Sequence, residues 1–285
     1  MNGDAALLLL ADSRLPAGGH AHSGGVEEAV RRGEVTGAGD LARFLRGRLA
    51  TAGLVTAALA AAACELAAAG DPADGVSLWR RLDAEADART ASPAQREAAR
   101  LQGRLLLRTA RRMWPSAALD TLARAVPEGP HHPVALGAAA ASAGCAPRQA
   151  ALAAAYTSVT GPATAAVRLL GLDPVTVHRL LADLATALDD TARAACASLD
   201  DAIPEDDEPE ECGHQGPQPG RHQGHQPGRP PAGHAAAHTA EHVAEHAAWQ
   251  ARWHARWHAL PGHSAPALDL LAEGHLTNPM KLFVS

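Results

Sequence analysis

The chain has little of what marks several common protein classes. It contains one lysine, Lys281, and few aromatic side chains, which make up 3% of its 285 residues. Its four cysteines are far apart and form no C-x-x-C pair, so neither a disulfide framework nor a zinc ribbon is indicated. Three of them lie in apolar helical contexts, which is typical of reduced, buried thiols.

Charge is also modest, with a formal net charge of −6. The acidic run Glu205–Glu211 accounts for it, and the rest of the chain is near neutral. A nucleic-acid-binding protein would carry a concentrated basic face, so this class is not expected.

No segment is predicted to enter a membrane. The apolar stretch Gly53–Ala63 is closely bracketed by Arg48 and Glu65. The N-terminal apolar run lies between Asp4 and Asp12 and lacks the charged start of a signal peptide. We therefore expect a soluble, cytoplasmic protein.

Strand signals and catalytic motifs are nearly absent as well. β-branched and aromatic residues never cluster in alternation, so the sequence predicts an all-α protein. There is no phosphate-binding G-x-x-x-x-G-K-[ST] loop, no G-x-S-x-G and no H-E-x-x-H. Because no catalytic constellation can be assembled, we do not expect an enzyme.

The sequence predicts a series of helices over residues 1–200, which we expect to form a single-domain helical bundle. Asp40 is predicted to cap a helix that runs to about Ala69. Ser92, followed by proline and then by Gln95, predicts another helix start. Asp173, also followed by proline, predicts a third.

Composition changes abruptly after residue 200. Residues 201–232 are acidic and then rich in Gly, Pro, Gln and His, and we expect a disordered linker because they can bury little apolar surface. Residues 233–260 contain no proline, and their only glycine is Gly233. They are predicted to form a His- and Trp-rich helix. Residues 261–285 form a C-terminal tail.

The His-rich helix repeats histidine at steps of four: His234, His238, His242, His246, and then His254 and His258. Histidines at i and i+4 lie on one helix face and can chelate a divalent metal such as Ni, Zn or Cu. Two other interpretations stay open, which are compositional drift without selection and a solvated helix face. Trp249, Trp253 and Trp257 form a parallel stripe that can dock the helix on the body or on a partner.

The most informative motif is an opening bend, Leu15–Glu27, which places glycines and a proline between two apolar segments. Taken alone, it is a loop between helices. The chain resembles the urease accessory protein UreF family, and the bend carries part of this resemblance. The bend residues that match the family's pattern are Leu15, Pro16, Gly18, His22, Ser23, Gly25 and Glu27. His20 stands where that family usually has an aromatic ring.

Further segments resemble the same family: Arg104–Arg108, His131–Gly137, Val159–Leu170, Pro266–His275 and Met280–Ser285. The resemblance covers residues 5–200 and 264–285 and leaves the linker and histidine helix as an insertion. It implies an all-α, homodimeric and non-catalytic scaffold that needs no cofactor. Such a scaffold bridges a UreD-type accessory protein and the GTPase UreG, and is proposed to gate GTP hydrolysis during nickel insertion into urease apoprotein.

The resemblance also implies site residues. In the C-terminal tail, His275, Lys281, Leu282 and Phe283 are expected contacts of the UreD-type partner. Phe283 lies in an otherwise polar terminus, which predicts an exposed aromatic anchor that orders on binding. The alternative is that Phe283 docks on the chain's own body. In the bend, His20, His22, Ser23 and Glu27 are expected structural or interface positions. The alternative function is a nickel-binding or nickel-storage protein that acts mainly through the His-rich insertion.

Overall fold

The computed structural model describes residues 3–70, 75–200 and 247–284, and this part of the chain is helical without a strand. The predicted all-α class is confirmed. The predicted linker 201–232 lies outside the described residues. The helices are α1 Gly3–Ala11, α2 Val26–Arg31, α3 Ala38–Arg48, α4 Leu54–Ala68, α5 Gly75–Ala88, α6 Pro93–Met113, α7 Ala117–Ala125, α8 His132–Ser142, α9 Pro147–Leu170, α10 Pro174–Asp183, α11 Ala185–Asp200, α12 through residues 247–258, and α13 Pro266–Leu276.

The core is built around α4, which packs along α8, α9 and α11. Most of the α4 side chains are alanines, and small side chains let helix backbones approach closely. The closest approach is at Gly137 in α8, where a Cβ would lie 2.7 Å from the Cβ of Ala63 and nearer still to the carbonyl oxygen of Ala60. The alanine bias that blurs the sequence periodicity thus permits dense helix packing.

One helical stretch, Ala38–Ala68, is long and apolar enough to cross a membrane. However, 67% of its most apolar window is buried inside the bundle. Core helices of soluble proteins share these properties, and the burial agrees with the expected soluble protein.

Two of the three predicted helix starts are confirmed and one is wrong. Ser92 is confirmed as a cap because its Oγ accepts the backbone N–H of Gln95 at 3.1 Å, and Asp173 accepts the N–H of Thr176 at 2.8 Å. The prediction for Asp40 is wrong. The helix begins before it, and its carboxylate instead accepts the backbone N–H of Thr36 at 3.0 Å. The predicted end of this helix near Ala69 is confirmed, since the helical stretch continues to Ala68. It contains the π-helical turn Leu49–Gly53, which was not predicted.

The described part of the His- and Trp-rich segment is helical and packs on the body. Trp253 and Trp257 are buried, the latter with 0% exposure, and their ring centroids are 5.6 Å apart. Trp249 is half-buried beside them, with its ring centroid 6.0 Å from that of Trp253. The tryptophan stripe therefore docks α12 on the chain's own body.

Polar contacts fix α12 in the same position. The guanidinium of Arg256 lies 2.7 Å from the Glu65 carboxylate in α4, and its Nε donates to the carbonyl of Leu199 at 3.0 Å. Arg89 donates to the carbonyl of Trp257 at 2.9 Å and so satisfies the C-terminal end of α12. The chain then leads directly into α13 and the tail.

Candidate partner-docking surface

The opening bend is a fixed structure on α9. Gly18, Gly24 and Gly25 have φ values of 77°, 61° and 91°, which side chains disfavour. A Cβ at Gly24 would also lie 2.8 Å from Cγ of Pro162. Arg48 donates to the Gly24 carbonyl at 2.8 Å, so the turn is held by both packing and hydrogen bonding.

The bend holds the C-terminal tail through backbone atoms. The buried carboxylate of Glu27, at the start of α2, accepts the N–H of Leu282 at 2.5 Å and the N–H of Phe283 at 3.2 Å. The N–H of Val284 donates to the carbonyl of Ala21 at 2.7 Å. Three successive tail amides are thus bound by the first 27 residues of the chain.

His275 completes this clamp from the end of α13. Its Nε2 lies 3.2 Å from the carbonyl oxygen of Phe283, and because a carbonyl only accepts, Nε2 carries the donated proton. Its Nδ1 lies 3.4 Å from a carboxylate oxygen of Glu27. We call Ala21, Glu27 and His275 the tail clamp.

Helix α13 is itself fixed on α2. Glu28 pairs with Arg31 at 2.5 Å and Arg32 at 2.9 Å, and the hydrogen bond from Arg31 is the main reason that the pKa of Glu28 falls to about 2. Arg32 also donates to the carbonyl of Leu270 in α13 at 3.2 Å. Gly274 permits this approach, since a Cβ there would lie 2.6 Å from a Glu28 carboxylate oxygen.

A second contact of α13 was not anticipated from the sequence. Glu273 accepts the Ser92 hydroxyl at 2.6 Å and the backbone N–H of Ala94 at 3.0 Å. The hydrogen bond from Ser92 lowers the pKa of Glu273. This carboxylate therefore caps α6 from a distant part of the chain, together with the local cap that Ser92 provides.

Above the clamp, the closing segment presents apolar side chains to solvent. Phe283 is not the exposed anchor that the sequence favoured. Its side chain is 8% exposed and packs into the core, which is the alternative of docking on the chain's own body. Lys281 is exposed, and Leu282 is 75% exposed. We call the exposed apolar side chains of this segment the tail surface: Leu270, Leu276, Met280, Leu282 and Val284.

Two further residues of the bend lie beneath the surface. His22 and Ser23 are buried, which favours a structural role over direct partner contact. Burial lowers the pKa of His132 to about 4, and the nearby charge of His22 contributes. His20 lies in the short turn Gly19–Ala21, and its side chain is outside the described part of the structure.

The histidine series is only partly described. His234, His238, His242 and His246 lie outside the described residues. His254 is half-buried on α12 and His258 is exposed. The Nε2 of His258 lies 3.3 Å from the Arg81 guanidinium.

Another group with metal-ligand chemistry lies elsewhere. Ligand atoms of Asp83, Asp87 and His131 fall within 4.8 Å of one another. Arg100 already pairs with Asp83 at 2.9 Å and Asp87 at 2.5 Å. The guanidinium takes the place of a cation, so this cluster is a structural network. His131 packs at the helix entry within it.

These features define an all-α protein with a rigidly held, apolar candidate docking surface. The family model described as UreF matches residues 35–185, more than half of the chain. A urease accessory protein UreF of Mycobacterium sp. (strain JLS) is 50% identical over 200 residues, which cover 69% of this chain and 89% of the relative. The Mycobacterium tuberculosis (strain H37Rv) protein of the same name is 45% identical over 197 residues, with coverages of 69% and 87%.

The chain belongs to the UreF family of urease accessory proteins. Its role is therefore in urease maturation. The match covers most of the length of these relatives, but about a third of this chain lies outside it. This chain is therefore longer than the relatives.

Proposed function

We propose that this protein is a non-catalytic scaffold of urease maturation in the cytoplasm. It bridges a UreD-type accessory protein and the GTPase UreG, and it gates GTP hydrolysis while nickel is inserted into urease apoprotein. As a homodimer, it presents two copies of the tail surface. Each tail surface docks one UreD-type protein.

The tail surface supports this proposal most directly. Five large apolar side chains within 15 residues are exposed at the closing end of the chain, from Leu270 to Val284. Three of them, Met280, Leu282 and Val284, are exposed at alternate positions of the final segment. Exposed apolar side chains that form a patch mark interaction sites, whereas single ones do not. The tail clamp fixes the backbone that carries the last of them, so binding costs less ordering entropy than for a free peptide.

Neighbouring tail residues have different roles in the proposal, either holding the tail on the body or contacting the partner. Phe283 points inward and anchors the tail, while Leu282 and Val284 on either side point outward. Lys281 adds a positive charge at the edge of the apolar patch, where it suits an acidic rim on the partner. Lys281 and Leu282 are therefore direct contacts in this proposal, and His275, Phe283 and Glu27 act by positioning them.

A matched pair of substitutions tests the docking step. Leu282 and Val175 are 75% and 76% exposed, but Val175 lies on α10, outside the tail surface. We expect Leu282→Ser to weaken binding to the UreD-type protein at least about tenfold, as for an interface hot spot. Val175→Ser should bind as the parent does. Equal affinity of the two variants in biolayer interferometry would refute the docking role of the tail surface.

Bridging and gating need a second experiment. The chain, the UreD-type protein and UreG should form one complex in size-exclusion chromatography, and the GTPase rate of UreG should change when the chain is added. The purified chain alone should hydrolyse neither GTP nor urea. Separate binary complexes that never combine would contradict the bridge, and turnover by the purified chain would contradict the non-catalytic role.

A further inference from the structure

Two histidines of α12 lie one helical turn apart at the edge of its packed face. His254 is half-buried and His258 is exposed. Side chains at i and i+4 start about 5–6 Å apart on the same face of a helix. Two imidazoles at this spacing can reach one ion between them.

The helix that carries this pair is fixed before any ligand arrives. Trp253 and Trp257 are buried, and Arg256 is bound to Glu65, so α12 cannot rotate about its axis without losing these contacts. The ring of His254 lies 6.1 Å from that of Trp257, which limits the space in which it moves. A site built on a fixed helix loses less entropy on binding than one on a free peptide.

A cation already lies against one of the two rings. The Nε2 of His258 faces the Arg81 guanidinium at 3.3 Å. A guanidinium only donates, so the lone pair of Nε2 is the acceptor and points toward positive charge. Arg81 is also paired with Glu85 at 2.9 Å, so it keeps a partner when His258 turns away.

We propose that His254 and His258 bind one divalent transition-metal ion at the edge of the packed face of α12, with water completing its coordination. Neutral imidazole nitrogen suits Ni²⁺, Cu²⁺ and Zn²⁺. Arg81 competes with the ion for the His258 lone pair and sets an upper limit on the affinity. The site goes beyond the scaffold function and needs neither of the partner proteins.

The test uses the full-length chain without a polyhistidine tag. Every histidine from His214 to His246 is replaced by glutamine, so that binding to that segment does not obscure the result. We expect this protein to bind one Ni²⁺ per chain in calorimetric titration. Cu²⁺ at the same site should quench the fluorescence of Trp253 and Trp257.

Substitutions in this background decide the outcome. His254→Ala and His258→Ala should each weaken Ni²⁺ binding at least about tenfold, while His263→Ala, an exposed histidine beyond α12, should leave it unchanged. Arg81→Gln should tighten binding several-fold. Circular dichroism confirms that each variant is folded, and His258→Asn repeats the test if His258→Ala is not. Unchanged Ni²⁺ affinity in the two α12 variants overturns the proposal, as does an equal loss in His263→Ala.

Discussion

Glu27 and Phe283, 256 positions apart in sequence, are joined by a hydrogen bond of 3.2 Å from the Phe283 amide to the Glu27 carboxylate. The same carboxylate accepts the neighbouring amide of Leu282. One buried acidic side chain in the opening bend therefore determines where the last residues of the chain lie. The two ends that carry the family resemblance are in direct contact.

Replacing Glu27 by alanine should release the tail. Two amides lose their acceptor, and each lost hydrogen bond to a charged group costs about 1.5–3 kcal/mol. We expect amide hydrogen exchange at residues 282–284 to quicken by about tenfold or more, and binding to the UreD-type protein to weaken. The exposed Glu34 is a control, because Glu34→Ala should change neither. Unchanged protection of the tail in Glu27→Ala would contradict the clamp.

The close crossing of α4 and α8 should tolerate no side chain at Gly137. The new methyl group of Gly137→Ala would meet the backbone carbonyl of Ala60, which is in another core helix. Overpacking of this kind costs about 1–3 kcal/mol, so the denaturant midpoint should fall.

Gly47 gives the opposite expectation. It lies in α3, is exposed, and a methyl group at this position would meet no atom within 4 Å beyond its chain neighbours and the adjacent backbone of its own helix. Gly47→Ala should stabilise the protein by about 0.5–1 kcal/mol through helix propensity. If Gly137→Ala leaves the midpoint unchanged or raises it, as Gly47→Ala should, the close approach at Gly137 does not limit packing.

Stability should fall in mild acid because of His132. Burial lowers its pKa in the folded protein to about 4, from an ordinary value of 6.5. Between these values the unfolded chain binds a proton that the folded chain does not, so stability is lost as pH falls from 6.5 toward 4. His132→Gln should flatten this part of a stability profile measured by urea unfolding, and the exposed His178→Gln should not. An identical slope in His132→Gln would exclude His132 as the cause.

The docking of α12 should depend on the bulk of Trp257 and not on its indole N–H. The Nε1 atom of Trp257 is buried without a hydrogen-bond partner among the described residues. Trp257→Ala should cost about 3–5 kcal/mol and expose residues 247–260 to hydrogen exchange, whereas Trp257→Phe should retain most of the protection. Equal exchange in the two variants would show that packing at Trp257 does not hold α12.

Local signals in the sequence predicted much of the fold. Ser92 and Asp173 cap the helices that follow them because a cap needs only the next few residues. Asp40 was misassigned because Thr36 supplies competing donors just before the helix. The π-helical turn after α3 has no comparable signal.

The residues of the site were predictable, but not how they contact one another. The resemblance pointed to both Glu27 and Phe283, yet nothing local shows that one binds the backbone of the other. The inward direction of Phe283 depends on the tertiary clamp, which is why the sequence left both an exposed anchor and docking on the body open and favoured the wrong one. The contact from Glu273 to Ser92 spans 181 positions and was missed for the same reason.

The clamp holds only main-chain atoms of the tail, since it binds the amides of residues 282–284 and the carbonyl of Phe283. The exposed side chains of Lys281, Leu282 and Val284 can consequently be substituted without changing the backbone conformation of the segment. In the proposed docking, substitutions at these positions change partner recognition and leave the clamp intact. An engineered scaffold and an engineered partner could thus be made to bind each other and not the natural proteins, while the fold of the scaffold is unchanged.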